Sequence, residues 1–106
     1  VKAIKTRREI LEEFVAQDPD DSFSRYALAL ELEKEGRERD AVPQLREVIS
    51  RDSAYVAAYY QLGRLLAQSG SPDEARDVYN RGLVAATAAK DQRARSELQE
   101  AIEMLG

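Results

Sequence analysis

The chain has 106 residues, 43% of them hydrophobic and 34% charged, with a formal charge of −4 from 16 basic and 20 acidic side chains. That length suits one folded domain, and the balance is that of a helix-rich folded protein rather than a disordered one. With no cysteine and no histidine, disulfides, zinc bound through thiolate or imidazole, and thiol or imidazole catalysis are all excluded.

Residues 1–19 come first in chain order. The stretch "IKTRREILEEFVAQDP" sets Ile4, Leu11, Phe14 and Val15 at helical spacing and ends on Asp18-Pro19, which predicts one helix. Residues 22–55 read as helix, glycine turn, helix, with the turn at "GRERDA" (36–41). Residues 56–89 read the same way, with the turn at "GSPDEA" (70–75). In the second turn Gly70 suits the left-handed residue that ends a helix. Ser71 is a good N-cap, Pro72 fits the first helical position, and Glu74 is placed to close a capping box. "GRERDA" keeps the glycine but lacks the box, so its helix should start less sharply, and Pro43 about a turn later should bend it. Finally, residues 90–106 place Ala94, Leu98, Ala101, Ile102 and Leu105 on one stripe, a last amphipathic helix. Six helices are expected.

The two middle segments are copies. Laying 22–55 over 56–89 without a gap matches identical residues at Tyr26/Tyr60, Leu28/Leu62, Leu32/Leu66, Gly36/Gly70 and Ala41/Ala75, among others. Ala29/Gly63 pairs small with small, Leu45/Tyr79 large with large, and Ile49/Leu83 aliphatic with aliphatic. In each first helix two leucines four apart share a face, beside a residue small enough for a second helix to come close. The second helix answers with Ala41, Leu45, Val48 and Ile49, or with Ala75, Tyr79, Gly82 and Leu83. A hairpin of this size cannot bury its apolar face alone, so the units should stack and be covered at both ends. In the 34-residue register the N-terminal helix aligns with a second helix, Leu11 falling with Leu45 and Tyr79, which makes it a half-unit. The last helix breaks that register, since Leu62 would map to Ser96 and Gly63 to Glu97, and it reads as a cap.

This pattern resembles the tetratricopeptide repeat. The resemblance is carried by Leu28, Ala29, Leu32, Gly36, Ala41 and Leu45 in the first unit and by Tyr59, Leu62, Gly63, Leu66, Gly70, Ala75 and Tyr79 in the second. It extends from residue 22 to about 87 and takes in the N-terminal helix. Two departures stand out. Arg25 occupies the place of Tyr59, where the family has a large aromatic, so contact with the N-terminal helix should be partly polar. The proline expected at a unit's end is present as Pro19 but is replaced by Ser53 and Thr87.

The resemblance implies an all-α superhelix of stacked hairpins whose first helices line a concave groove that holds a peptide or a partner's helix. The residues add support of their own: helix 22–35 carries Phe23, Tyr26, Ala27 and Leu30 off its Leu28/Leu32 stripe, so it is apolar on two faces where a surface helix needs one. The corresponding face of the second unit is Ala57, Tyr60, Gln61, Arg64 and Gln68, with Arg64 and Lys34 toward the far edge. These ten residues are the candidate site. The family's lysine–asparagine clamp for a chaperone's C-terminal carboxylate is missing, because Tyr26, Leu30 and Gln61 stand at its positions.

The expected function is therefore a non-enzymatic protein-interaction scaffold. The alternative is a structural module that self-associates, as a homodimer through Phe14 or the last helix, with no peptide ligand. No phosphate loop, nucleophile elbow or metal pattern is present, so neither an enzyme nor a cofactor is expected. Arginines interleaved with carboxylates ("RREILEE", "DQRARSE") describe solvated helix faces rather than a nucleic-acid surface. No apolar run approaches the ~20 residues of a membrane span, and the start lacks a signal segment. A cytoplasmic location is the default expectation.

Overall fold

The computed structural model describes residues 4–106. Within them lie six helices and no strand: α1 (Arg7–Gln17), α2 (Ser22–Lys34), α3 (Glu38–Arg51), α4 (Val56–Gln68), α5 (Pro72–Ala88) and α6 (Gln92–Met104). Each helix packs on the next, α4 also touches α6, and the described residues extend over 53 × 28 × 20 Å. The expected all-α stack of hairpins is what the chain forms. Residues 1–3 of the N-terminal segment lie outside the described residues, and Ile4 precedes α1 and is exposed.

Two kinds of turn join the helices, and each repeats its hydrogen bonds. At the tight turns Arg37 N–H donates to Leu32 O (2.8 Å), Ser71 N–H to Leu66 O (2.9 Å) and Asp91 N–H to Ala86 O (2.9 Å). These bonds close the helix end around one left-handed residue. That residue is Gly36 (φ 77°), then Gly70 (φ 87°), and at the third turn Lys90 (φ 57°). At the wider turns an aspartate does the work: Asp18 accepts from Asp20 N–H (3.2 Å) and Asp52 from Ala54 N–H (3.3 Å). Short acidic side chains favour this local bond to the backbone two residues on.

Helix starts differ from expectation. The capping box expected at Ser71 and Glu74 is not formed: Ser71 makes no side-chain cap bond, and Glu74 is drawn instead into an ion pair with Arg46 of α3 at 2.7 Å. Arg37 likewise makes no side-chain cap bond, so α3 and α5 begin alike, and α3 runs through Pro43 without interruption. A complete box occurs at α1, where Glu9 N–H donates to Thr6 Oγ1 (3.1 Å) and Thr6 N–H to Glu9 Oε1 (3.0 Å). Asp21 and Asp91 cap α2 and α6 through Ser24 N–H and Ala94 N–H.

The core is a single seam of small and large residues. Ala29, Ala41, Ala58, Ala75 and Ala86 are almost completely buried, as are Leu45, Val48, Leu62 and Leu98. Arg25 is also buried. It donates through Nη2 to Pro19 O (3.0 Å) and through Nη1 to Gln44 Oε1 (3.0 Å). Thirty-four residues on, Tyr59 Oη donates to Ser53 O (2.7 Å). The same carbonyl at the entry to a first helix is thus held in both units, by a guanidinium in one and a phenol in the other.

Candidate functional site

The first helices are tied to each other by charge. Arg64 Nη2 of α4 lies 2.6 Å from Glu33 Oε1 of α2 and 2.6 Å from Gln61 Oε1. Both members of the ion pair are about three-quarters buried, and the bond to Glu33 raises the arginine's already high pKa. Arg64 and Gln61 are therefore engaged with their own chain rather than held in reserve for a ligand.

A cavity of about 330 Å³ opens where α2, α4 and α6 converge. Four candidate residues line it: Tyr26, Ala57, Tyr60 and Gln61. Val56 shares the α4 wall, and Asp91, Arg93, Ala94, Glu97 and Leu98 form the opposite one. Tyr26 leans on Tyr55 with ring centroids 5.1 Å apart, and Tyr60 on Tyr79 at 6.3 Å. Each ring is thus half wall, half support, with offset, tilted packing. Burial raises the pKa of Tyr55 and Tyr79, so the phenols behind the wall stay neutral. The six remaining candidates do not reach this cavity. Phe23 is 71% exposed, Ala27 and Leu30 are partly buried along α2, and Arg64 is turned to Glu33. Lys34 and Gln68 are exposed at the ends of α2 and α4.

The α6 wall was not legible in a strict 34-residue register, yet the signal was there. The residues before α2, α4 and α6 are Asp21, Tyr55 and Asp91, separated by 34 (55 − 21) and then 36 (91 − 55). With two residues inserted, Ala58 maps to Ala94, Leu62 to Leu98 and Leu66 to Ile102, and Leu98 is fully buried like Leu62. The insertion lengthens α5 relative to α3. α6 therefore occupies the place of a third first helix and contributes charged residues to the cavity.

Among the described residues no group of acidic side chains is arranged to hold a metal ion, and no helix is long and apolar enough to cross a membrane. Repeated helical hairpins, stacked so that small residues of one helix admit large ones of the next, define a helical-repeat protein. The tetratricopeptide repeat family matches residues 26–92, and the chain belongs to that family. It is similar to a tetratricopeptide repeat domain protein of Salinibacter ruber, 36% identical with a TM-score of 0.77 over 80% of this chain and 94% of that one. A Bordetella parapertussis protein is 30% identical with a TM-score of 0.80, over 96% and 89%. DnaJ homolog subfamily C member 3 of Mus musculus is 33% identical over 88 residues, 82% of this chain. The chain spans only 18% of that relative's length. Members of the family are in general interaction modules rather than catalysts.

Proposed function

We propose that this chain is a non-enzymatic scaffold that grips an extended peptide or a partner's helix along α2, α4 and α6, with no cofactor. The observation that carries the proposal is the cavity between Tyr26, Ala57, Tyr60 and the α6 wall. It offers apolar rings beside Arg93, Glu97 and Asp91, a mixture suited to anchoring an apolar side chain and fixing its orientation with polar groups. The exposed ring of Phe23, on the same helix as Tyr26, extends the apolar surface beyond the cavity.

The test selects peptides from a random library on the folded chain and maps the enriched ones by NMR. Expected shifts fall on Tyr26, Ala57, Tyr60, Gln61 and Ala94. Ala57→Glu, which alters an exposed residue of the wall, should abolish binding without changing helicity, and so should Tyr26→Ala combined with Tyr60→Glu. Binding that survives Ala57→Glu, or shifts confined to other faces, would overturn this function.

A further inference from the structure

Gln61 is held by one end only. Arg64, one turn further along α4, donates to its Oε1 through Nη2 (2.6 Å) and Nε (3.2 Å). The same Nη2 also donates to Glu33 Oε1 of α2 (2.6 Å), in a pair about three-quarters buried. A guanidinium has donors and no acceptor, so the end of the carboxamide that it grips is the oxygen. That engagement leaves the amide nitrogen, with its two donors, unpaired among the described residues. The partnerless side-chain nitrogens sealed from solvent there belong to Arg25 and Arg95, so the Gln61 nitrogen stays reachable. Gln61 also lines the cavity between α2, α4 and α6.

This grip is particular to α4. At the equivalent places α2 has Ala27 and Leu30, and α6, with its two-residue shift, has Glu97 and Glu100. The three first helices thus present a methyl group, an amide donor and a carboxylate in turn. The charged groups lining the cavity are Asp91, Glu97 and Arg93. Arg93 Nε is already given to Glu97 Oε1 (3.2 Å), and Asp91 caps α6 through Ala94 N–H. Two carboxylates against one committed guanidinium disfavour an anion here and tolerate an uncharged oxygen. An extended peptide offers such an oxygen at every main-chain carbonyl.

We infer that Gln61 is the specificity-determining donor of the cavity, bonding a main-chain carbonyl within a peptide segment rather than a terminal carboxylate. Glu33 and Arg64 are its positioning residues: they hold the carboxamide so that it meets the peptide with its nitrogen and not with its oxygen. This rests on the cavity being the peptide site, and it adds that internal segments are preferred to chain ends.

The probe is a peptide enriched on the folded chain from a random library, acetylated and amidated at its ends. Gln61→Glu keeps the shape and the bond to Arg64 and removes only the donor. It should melt at no lower temperature than the parent and weaken the probe about tenfold, the upper end for one neutral hydrogen bond. Gln61→Met should weaken it by a similar factor. Positioning is read without any peptide: in nitrogen relaxation the Gln61 side-chain amide should be rigid in the parent and mobile once Arg64→Met and Glu33→Gln together remove the grip. That pair of changes, checked for folding by circular dichroism, should weaken the probe about threefold, and not at all in a Gln61→Met background. Shortened to end in a free carboxylate at its anchored residue, the probe should bind less well than the same peptide ending in a carboxamide. Unchanged affinity in Gln61→Glu, a Gln61 amide equally rigid without Arg64, losses that add in the Gln61→Met background, or tighter binding of the carboxylate form would each overturn this inference alone. A parent chain that binds no library peptide would overturn it together with the groove.

Discussion

A Cβ added to Gly63 would lie 2.3 Å from Cε1 of Tyr79 and 2.6 Å from its Cδ1. The ring of α5 rests directly on the bare backbone of α4, and both residues are buried. In the first unit the same two positions hold Ala29 and Leu45. One methyl more on the first helix is matched by a smaller side chain on the second, so the two seams reach a similar close packing by different divisions of volume.

Gly63→Ala should therefore destabilise the fold by about 1–3 kcal/mol, the usual cost of overpacking. Adding Tyr79→Leu recreates the first unit's pair and should recover most of that loss. Urea midpoints of the two single variants and the double variant measure the coupling. Equal and additive losses would show that the two residues are not fitted to each other.

The number and pairing of the helices were legible because small and large residues recur at 34-residue spacing, and such spacing survives only when packing requires it. What escaped notice depended on side chains with more than one available partner. Glu74 had the spacing for a capping box, but Arg46 on the neighbouring helix competes for it, and sequence spacing alone does not weigh a local bond against a distant one. The third tight turn was hidden because it uses Lys90 in place of glycine. The α6 wall was hidden because two inserted residues shift its register while preserving its faces. All ten candidate residues were placed on α2 and α4 without that third wall, for the same reason.

Lys90 adopts φ 57° at the α5–α6 turn, a left-handed conformation that costs a residue with a Cβ roughly 1–2 kcal/mol. Gly36 and Gly70 fill the equivalent place in the other two tight turns. Lys90→Gly should raise stability by about 0.5–1 kcal/mol, the relief being partly offset by the greater freedom of glycine in the unfolded chain. Thermal melts compare the two chains directly, and a lower melting temperature would contradict the assignment.

Acid should weaken the fold through three carboxylates whose native pKa values lie below their ordinary range. The Thr6 backbone N–H holds down Glu9, the Ser24 hydroxyl holds down Asp21, and the Arg46 guanidinium holds down Glu74. Between the native and unfolded values the unfolded state binds more protons. The contribution is complete above the unfolded values, near pH 4, and is lost as pH falls through the depressed native ones. Urea melts at descending pH should show the midpoint dropping there. Glu9→Gln, Asp21→Asn and Glu74→Gln together should flatten that drop, and high salt should remove the Glu74 part because its partner is exposed.

Leu98 tests whether α6 is part of the seam or a detachable cover. Its two methyl groups lie 3.2 Å from where a side chain on Gly82 would begin, and only 1% of its surface is exposed. It also lines the cavity that Tyr26 and Tyr60 face. Leu98→Ala removes a fully buried side chain at a helix junction and should cost about 2–5 kcal/mol. Amide exchange should then quicken first in α6 and the end of α5, before α2 and α3, because α6 packs mainly on α5 and then on α4. If exchange accelerates evenly along the chain, the six helices unfold as one unit. If stability falls by less than about 1 kcal/mol, α6 is a cover that the seam does not need.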